Sequence, residues 1–150
     1  MFTVEVRVGR LIEARIETLR TEARAAAYTD AFSAVLQRSP SNLPMILCAD
    51  HRAVPVYSQA VTEKLASLFG AMNLRLARVA LLVSPANATL LMQLARIVRE
   101  ANNPDRRVFV VPMEAEAFLG EVLTTAERTR LARFLRSDRG DLPPSSRSRF

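Results

Sequence analysis

A chain of 150 residues, of which 49% are apolar, is long enough to bury one core, and this length predicts a single domain. The longest apolar stretch, Val79–Val83, is far shorter than the roughly 18 residues of a membrane span, so we expect no span. The net charge of +6 comes from arginines spread along the chain, and the aromatic residues suited to base stacking are few, which argues against a nucleic-acid partner. The first ten residues contain no secretory apolar segment and Cys48 is the only cysteine, so we expect a cytoplasmic protein without disulfides.

The chain is predicted to begin with a β-hairpin that is followed by a helix. Residues 2–8 alternate apolar and polar side chains, which is typical of a half-buried strand, and residues 11–17 continue as a second strand. Gly9 and Arg10 are predicted to form a two-residue turn between the strands. A helix is predicted from Thr21 to about Gln37, because apolar residues recur there at helical spacing: Ala25, Tyr28, Phe32, Val35 and Leu36.

Strands and helices are predicted to alternate from residue 45 onward. The predicted strands are 45–49, 78–83 and 107–111, and the predicted helices are 58–72, 84–101, 113–123 and a last helix up to 136. Three helix starts carry recognisable caps: Ser58, the Ser84-Pro85 pair, and Thr124 with Glu127 in a capping box. This order predicts an α/β fold with a single mixed sheet of about five strands and packed helices, in one domain over residues 1–136. Residues 137–150 are polar and proline-rich, and they are predicted to form a disordered tail.

The order and spacing of these elements resemble those of the STAS and SpoIIAA-like domains, a family of small bacterial modules. The clearest segment is 78–125, in which an arginine-bearing helix ends in Asn-Pro and is followed by a short strand and a helix. The resemblance covers residues 2 to about 136. It implies a non-catalytic regulatory or scaffolding module of the partner-switching type, which binds another protein or a second copy of itself.

The start of the second helix is the predicted partner-binding site. In the anti-sigma-factor antagonists of this family, a serine at the start of the helix after the third strand is phosphorylated, and Ser58 matches that serine by position. The aspartate before it and the glycine after it in the family motif are absent here. Phosphate at a helix N-terminus would add negative charge where the helix favours it, whereas an unmodified Ser58 is an ordinary N-cap. The predicted contact residues are Tyr57, Ser58 and Gln59, together with Asp50 and Arg52 of the preceding loop.

Catalytic chemistry is not expected from this sequence. Asp50 and His51, at the end of the third strand, could form an acid–base pair, or Asp50 could simply hydrogen-bond nearby amides in a polar loop. Cys48 lies inside an apolar strand, and we expect a buried, inert thiol. One histidine and one cysteine are too few for a zinc site, and the glycines are isolated, so we expect no metal and no cofactor.

Three further features each have a functional and a structural interpretation. The Ser84–Asn87 segment, which is predicted to open a helix after a strand, could present backbone amides to an anion, with Arg106 and Arg107 adding charge, or it could be a plain loop. The last helix carries an arginine ladder that could bind an acidic partner or lipid surface, or could be a solvated face: Arg128, Arg130, Arg133 and Arg136. The alternative function is a small-molecule or lipid-binding domain, with a pocket between helices and sheet that is lined by Phe32, Leu68 and Phe69.

Overall fold

The structure is a computed structural model that describes residues 1–137. The predicted disordered tail, 137–150, lies outside these residues except for Ser137. The strands are β1 (Phe2–Val6), β2 (Leu11–Ile16), β3 (Met45–Asp50), β4 (Leu76–Leu82) and β5 (Arg106–Phe109). The helices are α1 (Glu22–Arg38), α2 (Gln59–Met72), α3 (Ala88–Ala101), α4 (Pro112–Gly120) and α5 (Thr125–Arg136). Within this part of the chain, no helix is both long enough and apolar enough to cross a membrane.

The five strands form one mixed sheet in the order β1-β2-β3-β4-β5. Strand β1 pairs with β2 in the antiparallel sense, and the remaining neighbours are parallel. The parallel strands are separated along the chain by α1, α2 and α3, because each parallel pairing needs a crossover connection. The α/β fold, the opening hairpin and the single mixed sheet predicted from the sequence are therefore confirmed.

Helices cover both faces of the sheet, a point that the sequence periodicity left open. The first face of β2, with Ile12, Ala14 and Ile16, packs into a core that includes the inward side chains of α1, α2 and α3. The second face carries Leu11 and Ile46 into a smaller core formed with α4 and α5. Every residue of β2 and β3 is buried as a result, because successive side chains on a strand point to opposite faces and both faces are covered.

The third helix does not begin as predicted. The Ser84-Pro85 pair forms a turn, and α3 begins at Ala88 with Asn87 as its N-cap. The Asn87 side-chain oxygen accepts from the Leu90 backbone N–H at 3.0 Å, which satisfies one free amide of the first turn. Asparagine is as good a cap as serine. The Asn87 side-chain amide also donates to two carbonyls of the loop that precedes α2.

The hairpin turn is longer than the predicted pair of residues. Val6 pairs with Ile12, so Arg7 to Arg10 all lie outside the β1–β2 ladder. Gly9 has a φ of 58°, a left-handed conformation that side chains disfavour. A Cβ at Gly9 would also collide with the Glu127 carboxylate, which accepts from the Arg10 backbone N–H at 2.6 Å. The turn is thus shaped by the distant start of α5, a contact that local spacing does not reveal.

Candidate functional site

Three loops meet at one edge of the sheet and form the candidate site. They follow the carboxyl ends of the parallel strands β3, β4 and β5, and they span residues 51–58, 83–87 and 110–111. Ligands and partners of open α/β sheets commonly gather at this edge. We refer to it below as the carboxyl edge.

Side chains from α3 hold the 51–58 loop in place. The Asn87 side-chain amide donates to the backbone carbonyls of Val54 and Pro55. The Gln93 side chain makes two hydrogen bonds with Tyr57: its oxygen accepts from the Tyr57 N–H at 3.1 Å, and its nitrogen donates to the Tyr57 carbonyl at 2.7 Å. Four hydrogen bonds from one helix therefore fix the backbone that leads into α2.

The five predicted contact residues divide into exposed and buried groups. Ser58 and Gln59 are exposed, and the Ser58 hydroxyl accepts from the Val61 N–H at 3.2 Å, so Ser58 caps α2 as predicted. Arg52 is half-buried, whereas Tyr57 and Asp50 are buried. Tyr57 and Asp50 therefore lie beneath the loop surface, whereas Ser58 and Gln59 are accessible on it.

Large apolar side chains are exposed on this loop and near the starts of α3 and α4. Val56 is 53% exposed, Met92 on α3 is 73% exposed, and Met113 at the start of α4 is 77% exposed. Val56 lies in the carboxyl edge itself, whereas Met92 and Met113 lie near the starts of the two helices that follow its other two loops. The sequence analysis did not single them out, because helical periodicity marks the inward stripe of a helix and leaves the outer face unassigned.

Asp50 is the centre of a buried ionic cluster on the α5 side of the sheet. Its carboxylate accepts from Arg15 Nε at 3.0 Å and from Arg52 Nε at 3.0 Å. The same two arginines donate to the last carbonyls of α5: Arg15 to Phe134 at 2.7 Å and Arg52 to Leu135 at 3.0 Å. Burial alone would raise the pKa of Asp50, but the hydrogen bonds from Arg52 and Arg15 outweigh it and hold that pKa below its usual value. Asp50 is therefore a charged structural residue that links the 51–58 loop to α5 through Arg52 and Arg15.

His51 faces the opposite side of the sheet from Asp50. Its Nδ1 lies 2.8 Å from the Tyr57 hydroxyl, and the two rings meet edge to face. Burial lowers the pKa of His51 to about 4, although the charge of Asp50 opposes this shift. The two side chains that could have formed an acid–base pair thus contact different groups on different faces, and Asp50 bonds the Arg52 amide at 3.0 Å, as the polar-loop interpretation predicted.

A narrow crevice lies between α1, α2 and the sheet, where the alternative function placed a pocket. Its lining includes the predicted Phe32, Leu68 and Phe69, and His51 and Tyr28 contribute the polar groups. The space inside measures about 10 Å³, which is close to the least that holds one water molecule. The crevice in this conformation is far too small for a lipid chain.

Two further residues that the sequence analysis singled out, Cys48 and Arg106, are buried in the structure. Cys48 is fully buried, and burial raises the pKa of its thiol well above the usual value, as expected for an inert core residue. Arg106 is also buried and donates to the Leu76 carbonyl at 2.7 Å, at the end of the sheet opposite to Ser84. It therefore cannot add charge to the Ser84–Asn87 turn, and that part of the anion-site hypothesis is wrong.

The arginine ladder of α5 is not uniformly solvated. Arg130 points inward and makes two bonds with the buried Glu13 carboxylate, at 2.6 and 2.7 Å. Glu13 and Arg15 alternate with apolar residues along β2, a pattern that suggests a solvent-facing side. The burial of Glu13 and Arg15 could have been inferred from oppositely charged residues on other elements. Asp50 of β3 pairs with Arg15, and Arg130 of α5 pairs with Glu13.

Comparison with known proteins adds no family assignment. No protein-family model matches this chain, and no curated protein is similar to it.

Proposed function

We propose that this protein is a non-catalytic regulatory or scaffolding module that binds a protein partner, or a second copy of itself, through the carboxyl edge. The mode of action would be that of the bacterial cytoplasmic STAS and SpoIIAA-like domains that the chain resembles. The contact surface consists of Val56, Ser58, Gln59 and Met92, with Arg52 at its border.

The observation that carries this proposal is an exposed apolar side chain on a rigid loop. Val56 is held outward by a backbone whose neighbours, Pro55 and Tyr57, are hydrogen-bonded to α3. Contiguous exposed apolar groups with a polar rim mark protein interaction sites, and in this proposal Val56 and Met92 together supply the apolar part. A preformed loop also binds at lower entropic cost, because little of its conformational freedom is lost on association.

Ser58 gives this surface a means of regulation. Its hydroxyl is exposed at the N-terminus of α2, beside Val56, so phosphorylation would place about two negative charges within the contact surface. The helix N-terminus would tolerate that charge, and an apolar or acidic partner would not. The proposed outcome of modification is therefore release of the partner without unfolding of the module.

Site-specific photocrosslinking in cells tests the surface. A benzophenone amino acid replaces Val56 in one variant and Leu74 in a control variant, because Leu74 is 93% exposed and precedes β4 at the opposite end of the sheet. We expect a discrete crosslinked species, either with another protein or with a second copy, from position 56 alone. Identical products from both positions, or none from position 56, would contradict the proposal.

The regulatory part is tested by a matched pair of substitutions. Ser58→Asn and Ser58→Asp both keep a good N-cap, so they differ in charge and not in helix stability. We expect Ser58→Asn to retain the crosslink from position 56 and Ser58→Asp to lose most of it. If both variants retain it equally, charge at Ser58 does not control binding, although the contact surface itself remains supported.

A further inference from the structure

Strand β1 forms one lateral edge of the sheet, and its outer side is unpaired. Within residues 1–137, β2 is its sole neighbouring strand. The Glu17 N–H donates to the Met1 carbonyl at 2.9 Å, which extends the β1–β2 ladder by one pair. Hydrogen-bonded pairs alternate along an antiparallel ladder, so Thr3 and Glu5 also bond β2. The backbone N–H and C=O groups that face outward are those of Phe2, Val4 and Val6.

The β1 edge lacks the features that usually prevent a sheet edge from pairing. Such edges are commonly short, or they carry a proline, a bulge or charged side chains. All five residues of β1 pair in unbroken register with β2, and none of them is proline. No residue in the described part of the chain bonds the outward groups of β1. The opposite edge strand, β5, is protected, because it has four residues and begins with Arg106 and Arg107.

The sequence of β1 is complementary to a second copy of itself in the antiparallel sense. When Val4 lies opposite Val4 of the second copy, Phe2 lies opposite Val6 and Thr3 lies opposite Glu5. The outward groups then face one another, and each facing pair exchanges two backbone hydrogen bonds. An aromatic residue opposite a β-branched one, such as Phe2 opposite Val6, also stabilises paired strands. Moving the register by two residues would place Glu5 opposite Glu5, and like charges directly opposite are destabilising.

The apolar side chains of β1 are incompletely covered within one copy. Phe2 meets the Tyr28 ring edge to face at 5.4 Å, yet Phe2 and Val4 are only half-buried, and Val6 is 36% exposed. A second copy would cover part of this remaining surface. We propose that two copies of this chain associate through their β1 strands, which join the two sheets into one continuous sheet. This interface is independent of the carboxyl edge, because it uses none of its residues.

Sedimentation velocity of the full chain over a series of concentrations tests the proposal, and we expect a monomer–dimer equilibrium. Val4→Pro removes an outward N–H and no bond of the β1–β2 ladder. We expect this variant to associate at least roughly tenfold more weakly, since the central pair loses both of its hydrogen bonds. Val108→Pro is the matched control: Val108 is also half-buried, and its N–H faces away from β4, because Asp105 and Phe109 bond β4. We expect Val108→Pro to associate as the native protein does, and circular dichroism shows that both variants fold.

Cysteine pairing tests the register without a proline substitution. Thr3→Cys and Glu5→Cys chains are mixed and mildly oxidised, and the native Cys48 does not compete because it is buried. We expect the mixed disulfide to exceed its statistical share, since position 3 lies opposite position 5 of the second copy. A monomer at every concentration, a statistical mixture of disulfides, or unweakened association of a folded Val4→Pro would each overturn the proposal. Crosslinking from position 56 is expected to be the same in Val4→Pro, so failure of this interface is distinct from failure of the carboxyl edge.

Discussion

Mild acid is expected to destabilise this protein through its single histidine. His51 is buried, and its imidazole bonds the Tyr57 hydroxyl. Tyr28 of α1 lines the same crevice, and the Asp50 carboxylate lies on the other face of the sheet. Burial lowers the pKa of His51 from 6.5 to about 4, because the apolar surroundings disfavour the imidazolium form. The unfolded chain therefore binds a proton below about pH 6.5, whereas the folded chain stays neutral there until about pH 4.

The magnitude follows from the size of this shift. Each pKa unit corresponds to about 1.4 kcal/mol, so a fall from 6.5 to about 4 is worth roughly 3 kcal/mol in the free energy of unfolding. This contribution is complete above about pH 6.5 and is lost as the pH falls toward 4, since a lowered folded-state pKa makes stability rise with pH. The loss is a large fraction of the total stability of a typical domain, which is about 5–15 kcal/mol.

Urea unfolding at several pH values between about 4.5 and 7 measures the effect, with His51→Gln as the control. Carboxylates also titrate at the acidic end of this range, but they do so in both proteins, so the difference between the two pH profiles isolates His51. We expect the native protein to lose up to about 1.4 kcal/mol per pH unit more than the variant. Parallel profiles, or an NMR titration of His51 in the folded protein with a midpoint near 6.5, would refute the reasoning.

Substitutions at three other contacts test what stabilises the fold. Arg130→Leu strands the buried Glu13 carboxylate and is expected to cost about 3–5 kcal/mol, whereas Glu13→Leu combined with Arg130→Leu should recover to within about 1 kcal/mol of the native protein in urea unfolding. Gly9→Ala forces a side chain into a left-handed φ and against Glu127, so a loss of at least about 1 kcal/mol is expected by the same assay, and an unchanged midpoint would contradict the close approach. Ser58→Ala removes the α2 cap and should cost about 1 kcal/mol, while Ser58→Asn should cost almost nothing in thermal unfolding.

Local patterns in the sequence were sufficient for most of the fold. The alternation over residues 2–8 predicted β1, the apolar run 45–49 predicted the strand β3, and Thr124 with Glu127 makes both bonds of the predicted capping box. These features depend on spacing within a few residues. The start of α3 was misplaced because two acceptable caps, Ser84 and Asn87, lie three residues apart, and only the contact with Val54 and Pro55 decides between them.

The second face of the sheet could not be predicted in this way. The alternation along β2 predicts that Glu13 faces solvent. Glu13 is instead buried, because Arg130 of α5, which lies far along the chain, bonds its carboxylate. Arg15 is buried for the same reason, with Asp50 and the Phe134 carbonyl as its partners. A sequence pattern records the polarity of each residue, but whether a charge is covered depends on which opposite charge the tertiary fold brings to it.

Tyr57 explains why the predicted site is part contact surface and part support. Its hydroxyl bonds His51, which lines the crevice between α1, α2 and the sheet, and its backbone bonds Gln93 at the carboxyl edge. The residues on either side of it, Val56 and Ser58, are exposed, so one buried side chain fixes the position of two surface residues. In residues 54–59 the buried Val54 and Tyr57 are each followed by two exposed residues, and residue type alone could not distinguish the exposed residues of the proposed contact surface from the buried ones that hold them in place.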